Sequence, residues 1–328
     1  MKKITISKLL AVFLISITLS SGCSAKGSQT TDDKNGITIG ICQLAEHPAL
    51  DEARRGFEDG LKELGIDANI EYQNVQGDIP TSLSIAQKFV RDGVDLIFAI
   101  ATPAAQSAKQ TTEEIPIIFS AVTDPIDAKL VESMDSPGGN ITGTSDESPM
   151  DRHLKLFKEI DSSIKKIGII FNTSEPNSQV QVKKAKELAA SLGLEIVEVG
   201  VNTINDIPQA ADSIIKKVDA IYTITDNMVA SAINVVAEKA IENNMITVGA
   251  EESHIAGGIL ITDGISYYEL GKQSANMAKE ILVDGKSPSD IPVEIAANTR
   301  KVYNEETLKS LGLDINNNAF KDAKKYTN

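Results

Sequence analysis

From Ile37 onward, short apolar runs alternate with longer amphipathic ones, and the alternation runs through twice. A continuous apolar run of strand length suits a strand buried on both faces. An amphipathic stretch suits a helix laid over one of those faces, so the alternation predicts βαβ units and parallel sheets. The first pass places strands near Ile37–Leu44, Asn69–Asn74, Val94–Ile100 and Ile115–Ala121, with helices near Leu50–Leu64, Pro80–Arg91 and Ala104–Thr112. A glycine-rich passage from Pro137 to Gly143 follows. The second pass places strands near Lys166–Phe171, Glu195–Val201, Asp219–Ile224, Ile246–Gly249 and Ile259–Thr262, with helices near Asn177–Ser191, Ile207–Lys216 and Met228–Asn243.

Three elements remain: a long helix near Tyr268–Val283, an extended piece near Pro292–Ala297 and a short helix near Glu305–Leu311. Two sheets of similar size with elements left over imply a chain that crosses between lobes more than once. The crossings are expected near Gly143–Ser145, Asp263–Ser266 and Ala297–Arg300. The fold class is therefore α/β: two Rossmann-like parallel-sheet lobes joined by a multi-strand hinge, a clamshell whose strand C-termini face one cleft. The expected N-terminal lobe is 37–143 plus about 266–297, the C-terminal lobe 144–265 plus about 298–316, and 317–328 a polar tail.

A different kind of segment comes first. Lys2, Lys3 and Lys8 accompany an eleven-residue apolar run from Leu9 to Leu19, followed by Ser20, Ser21, Gly22 and Cys23. Crossing a bilayer takes about 20 apolar residues, so residues 1–22 read as a cleaved signal rather than a span. Small residues before a cysteine suit a lipoprotein signal, in which the Cys23 thiol carries a lipid. Ser20 stands where a branched residue is usual, and an ordinary secretory signal beside an incidental cysteine is the alternative. Residues 23–36 are polar and aperiodic, a flexible tether. Together these features put the protein on the extracytoplasmic face of the cell membrane, anchored by lipid.

Without the signal, 29 basic residues face 46 acidic ones, a net charge of −17. That balance argues against a nucleic-acid partner. Besides Cys23 the only cysteine is Cys42, which reads as a small packing residue. Three widely spaced histidines, His47, His153 and His254, come with no nucleophile elbow, Walker loop, dinucleotide fingerprint or metal-ligand spacing. Neither catalysis nor a cofactor is expected. A sugar-repressor-like regulator on the same clamshell would carry a helix-turn-helix where this chain has a signal and a tether.

Candidate site residues gather at the expected strand ends. His47-Pro48, Thr102-Pro103, Asp124-Pro125 and Glu175-Pro176 each follow an apolar run. Proline suits the first helical position and the polar residue before it can cap, so plain capping accounts for the pattern. Several helix N-termini pointing into one cleft would also favour an anion. The polar residues there are Gln43, Glu46, Thr102, Ser120, Thr123, Asp124, Asn172, Ser174, Thr225, Asp226, Asn227 and Glu251. Hydroxyls and backbone N–H groups suit a carboxylate, while Asp226 or Glu251 suits an ammonium, so a zwitterion such as a free amino acid fits. Turn residues of these types are common, and part of the set is expected not to touch ligand. Phe119, Phe171, Tyr222 and Tyr268 are the rings near strand ends or a crossing, with core packing the simpler reading for each.

The stretches EHPALDEARRGF (46–57), ATPAAQ (101–106), FSAVTDP (119–125), NITGTSD (140–146), FNTSEPNS (171–178), TDN (225–227) and YYELGKQSANMAKEIL (267–282) carry a resemblance. In order and over nearly the whole mature chain, they resemble the solute-binding lipoproteins of ABC importers of the tryptophan/tyrosine-binding type. The resemblance implies a type I periplasmic-binding-protein fold, an aromatic amino acid as ligand, and delivery by a monomer to a permease with its ATPase. It gives most weight to Thr102, Thr123, Asp124, Ser145, Asn172, Asp226 and Glu251. Gln43, Glu46 and His47 are candidates to read a tyrosine hydroxyl. A surface adhesin or scaffold, alone or alongside transport, is the alternative function.

Overall fold

The computed structural model describes residues 36–327. The signal, Cys23 and the tether up to residue 35 lie outside the described residues. The first sheet contains β1 (Ile37–Gln43), β2 (Ala68–Asn74), β3 (Leu96–Ile100), β4 (Ile117–Val122), β5 (Ile141–Ser145) and β11 (Glu294–Ile295), in the order β11-β5-β4-β3-β1-β2 and parallel throughout. The second contains β6 (Lys166–Asn172), β7 (Glu195–Val201), β8 (Ala220–Thr223), β9 (Ile246–Glu251), β10 (Ile261–Ile265), β12 (Thr299–Tyr303) and β13 (Lys324–Lys325). Its order is β13-β12-β10-β9-β8-β6-β7, with one antiparallel pair, β10 with β12. The central strands β3 and β4 are buried along their whole length, as their unbroken apolar runs require. The edge strands β2 and β7 expose part of theirs and carry Glu and Asn.

In both sheets the strand order reverses beside the first strand, between β1 and β3 and between β6 and β8. Ligands of open parallel sheets bind beyond the strand C-termini at such reversals.

The chain crosses between sheets three times: at 146–149 after β5, at Ser266 after β10, and at 296–298 between β11 and β12. The first crossing falls later than the expected 143–145. Thr144 and Ser145 pair with Glu294 and Ile295, and the Thr144 hydroxyl donates to Ser120 Oγ at 2.9 Å, which keeps both residues in the first sheet. Of the segment 317–328, expected as a polar tail, residues 317–327 instead fold back on the second lobe. Phe320 is buried, its ring set edge-on to Tyr303 at 5.9 Å, and β13 adds a parallel strand to β12. One buried ring is enough to hold an otherwise polar segment down.

Helix α10 (Tyr267–Leu282) returns to the first lobe and lies against α1 (Pro48–Glu63). Glycines allow the close approach. A Cβ on Gly56 would fall 2.0 Å from the Tyr268 carbonyl oxygen, and one on Gly271 would fall 2.0 Å from that of Ala53. Since backbone cannot move aside cheaply, Gly271→Ala is expected to lower stability by about 2–3 kcal/mol, read as a lower urea midpoint at unchanged m-value.

Candidate functional site between the lobes

Two strand ends of the first lobe are bent by non-glycine residues in the left-handed region, Ala101 at φ 84° and Ala121 at φ 58°. Such residues cost about 1–3 kcal/mol each and persist where surrounding structure holds them. Ala101 directly precedes Thr102, and Ala121 stands two residues before Thr123, both threonines at the cleft. Thr123 Oγ1 lies 3.3 Å from Thr225 Oγ1 of the second lobe, and His47 Nε2 lies 3.2 Å from Asn227 Oδ1, so the lobes touch across the cleft.

The residues preceding proline divide. Asp124 caps its own turn, accepting from the backbone N–H groups of Ile126 and Asp127. His47 and Glu175 stand at the N-caps of α1 and α5 (Pro176–Ser191), yet neither side chain caps its helix. Both reach Asn227, the first residue of α7 (Asn227–Ser231). Thr102 begins α3 (Thr102–Thr111) behind Ala101, with its hydroxyl buried and unpartnered.

An acidic cluster sits where two crossings meet. The Tyr267 hydroxyl, at the start of α10, donates to Asp146 Oδ2 at 2.6 Å. Glu251 ends β9, and its Oε1 lies 2.7 Å from His254 Nε2, close enough for an ion pair though not aligned as a hydrogen bond. Burial pushes the Asp146 carboxyl up to about 6, although hydrogen bonds from Tyr267 and Thr123 favour its ionised form. Burial also opposes ionisation of Glu251, but the His254 charge and contact outweigh it and hold this carboxyl below its usual range. Burial lowers His47 as well, leaving a neutral imidazole. Asp146 Oδ1, Glu251 Oε2 and His47 Nδ1 are all buried without a hydrogen-bond partner among the described residues. An unpaired buried polar group costs about 1–3 kcal/mol, so a ligand that brings donors completes this site.

Asp226, expected to meet a ligand ammonium, is occupied within the protein. Its Oδ2 accepts from the Asn172 backbone N–H at 2.6 Å and the Ser178 hydroxyl at 2.7 Å, and its Oδ1 caps α7 through Val229 N–H at 2.8 Å. Burial, then the Glu175 charge, raise its pKa well above the usual carboxylate range.

Other expected residues fall as follows. Asn172 lines a cavity of about 240 Å³ together with Leu44, Ile79, Glu175, Asn227 and Met228. Ser145 is buried, its hydroxyl donating to the Thr123 carbonyl. Gln43 is buried but spent on Ala45, Asp51 and Arg54 of its own lobe. Ser120 bonds Thr144 inside the first lobe. Glu46 is exposed and accepts from the Tyr72 hydroxyl, and Ser174 is exposed on its turn. Of the rings, Phe119 and Tyr222 are core residues, Phe171 lines a separate groove with Lys183, and Tyr268 lies under Arg55.

Sequence reasoning left Asp146, Tyr267 and His254 out of the site and named Glu175 only as a residue before proline. Two had a legible signal: Glu175 precedes a proline, and Tyr267 opens a helix just after a crossing. Asp146 had little, since the run from Ile141 to Ser145 before it is mostly polar or small. His254 had none, since only the fold of the short helix α9 (Glu252–Ala256) turns it back on Glu251.

Residues 38–327 match the family described as ABC transporter substrate binding protein. The chain belongs to this family. Its members are extracytoplasmic binding proteins rather than a class of enzyme, and no helix of the described residues is long and apolar enough to cross a membrane. The binding protein is 41% identical to the tyrosine-binding protein of Clostridioides difficile, covering 94% of this chain and 92% of the relative. It superposes on a conserved domain protein of Vibrio cholerae with a TM-score of 0.86 at 36% identity, covering 89% of this chain and 99% of the other. Against the ABC domain of Streptococcus pneumoniae in complex with L-Trp the TM-score is 0.84 at 32% identity, covering 88% and 99%. Against the ligand-free, open form of a substrate-binding protein with adhesive properties from Clostridium difficile it is only 0.68, although identity there is 42% over 89% and 99%. The more similar sequence superposes less well. Together with the contacts of His47 and Thr123 across the cleft, this places the lobes of the binding protein closer to the ligand-bound arrangement than to the open one.

Proposed function

We propose that the protein captures a free aromatic amino acid, tyrosine or phenylalanine ahead of tryptophan, and delivers it as a monomer to an ABC permease and its ATPase. Lipid on Cys23 would hold it at the extracytoplasmic face of the membrane. The observation that carries the amino-acid reading is the pair of buried carboxylates, Asp146 and Glu251, each with an oxygen lacking a partner. Such oxygens call for a cationic donor, and a ligand ammonium supplies it. The aromatic side chain is supported by the named ligands of the relatives. Thr102, Thr123, Ser145, Asn172 and Asn227 are assigned to the ligand's surroundings; Gln43, Glu46, Ser120, Asp124 and Ser174 are assigned supporting roles.

Calorimetry against the twenty amino acids tests this reading. Tyrosine or phenylalanine is expected to bind best; binding of a sugar with no amino acid bound would sink it. Binding is also expected to weaken with acid. A bound ammonium lowers the Asp146 pKa from its ligand-free value of about 6, so complex formation releases a proton below that value. Affinity should be level above pH 6 and decline below it, and a flat profile from about pH 5 to about pH 8 would exclude Asp146 as the ammonium partner.

Adhesion is a second reading, supported by the adhesive properties of the 42% identical Clostridium difficile protein. Cell binding that persists in a variant unable to hold ligand would separate it from transport.

A further inference from the structure

Chemistry settles the orientation of the Asn227 amide. Its Nδ2 lies 2.5 Å from Glu175 Oε2, and Glu175 is a carboxylate ringed by donors. Asn172 Nδ2 lies 3.1 Å from Oε1, while Asn177 Nδ2 and the Asn227 backbone N–H each lie 3.3 Å from Oε2. With four N–H groups converging on it, the Glu175 carboxyl is the acceptor, so Asn227 turns its NH2 to Glu175 and its carbonyl oxygen to His47. That oxygen also only accepts. The proton between the two residues therefore sits on His47 Nε2, 3.2 Å away. His47 is 6% exposed and its burial favours the neutral ring, which leaves Nδ1 a bare acceptor. Nδ1 has no hydrogen-bond partner among the described residues, and the side chain does not cap α1.

We propose that Glu175 and Asn227 lock His47 as the Nε2–H tautomer, so that its buried Nδ1 accepts a hydrogen bond from an N–H or O–H group of the ligand. This deepens the binding role above and rests on it. Glu175 and Asn227 are positioning residues. A ligand without a donor at that place leaves Nδ1 desolvated and unpaired, and the site discriminates against it for that reason. Tyrosine carries two candidate donors, its ammonium and its phenol.

Long-range 1H–15N correlation spectra of the intact protein test the locking, with His47 signals assigned by their loss in His47→Phe. At neutral pH the expected pattern is a protonated Nε2 and a bare Nδ1; an Nδ1–H tautomer or an imidazolium overturns the proposal. In Glu175→Gln, whose amide can present either group to Asn227, mixed tautomers are expected, and an unchanged tautomer overturns the locking role. Titrations of tyrosine, O-methyltyrosine and N,N,N-trimethyltyrosine into wild type and His47→Phe test the acceptor. One analogue should bind wild type at least about tenfold more weakly than tyrosine, with that penalty largely gone in His47→Phe. Loss with O-methyltyrosine identifies the phenol, and loss with the trimethyl analogue the ammonium. Equal penalties in both proteins for both analogues overturn the acceptor role. Failure of every amino acid to bind overturns the ligand half together with the reading it rests on, while the spectra still decide the tautomer.

Discussion

Asp146→Asn is expected to weaken amino-acid binding by about a hundredfold or more while leaving the protein folded. The substitution keeps size and can still accept from the Tyr267 hydroxyl, but it removes the negative charge opposite the ligand ammonium. Losing one partner of a buried pair costs about 3–5 kcal/mol, because the other charge stays out of water. In the ligand-free protein the same change removes an unpaired buried carboxylate whose pKa burial raises, so the thermal midpoint without ligand should hold or rise. Affinity and stability thus move in opposite directions. Calorimetry and a melting curve on one sample check both, and an affinity within a few-fold of wild type would assign the ammonium to another group. Tyr267→Phe is the companion variant: it orphans Asp146 Oδ2 and should weaken binding by less.

Asp226→Ala is expected to act the other way round, through the fold. It strands the Asn172 N–H, the Ser178 hydroxyl and the Val229 N–H in the interior, and takes the cap from α7. Loss of a cap costs about 1 kcal/mol and each stranded group about 1–3, offset in part by relief from Glu175. A net loss of about 2–4 kcal/mol is expected in urea unfolding. The pH dependence identifies the cause. With its pKa raised in the fold, Asp226 binds more protons in the native than in the unfolded state, so its stability contribution is larger at mildly acidic pH and declines as pH rises through the raised value. The deficit of the variant should therefore grow between about pH 8 and about pH 5. A deficit that does not change over this range would place Asp226 as an ordinary ionised cap.

Much of the fold was legible because parallel strands buried on both faces must be apolar along their length. Ile97 to Ile100 and Ile117 to Val122 carry that demand almost without interruption. The edges were less legible. Only pairing with Val122, Glu294 and Ile295 and the bond to Ser120 show that Thr144 and Ser145 end a strand rather than begin a crossing. Phe320 announced nothing among the Asn and Lys residues around it, since a single ring has no period. Strand ends were legible as a region, but the partners of each polar group there were not. Gln43 and Asp226 had the right chemistry, and the fold engages both internally.

The sequence by itself determined the class of architecture, two parallel sheets with their polar C-terminal loops at one cleft, because hydrophobic periodicity is local and repeats along the chain. It also determined the acidic balance of the protein, which is a matter of composition. The tertiary structure alone decided which groups go unpaired. Asp146 and Tyr267 lie 121 residues apart and meet only where two crossings adjoin, and His47 and Asn227 lie 180 apart and meet only where the lobes come together. Whether a buried oxygen is satisfied depends on donors from distant segments within about 3 Å, a condition that no local pattern encodes.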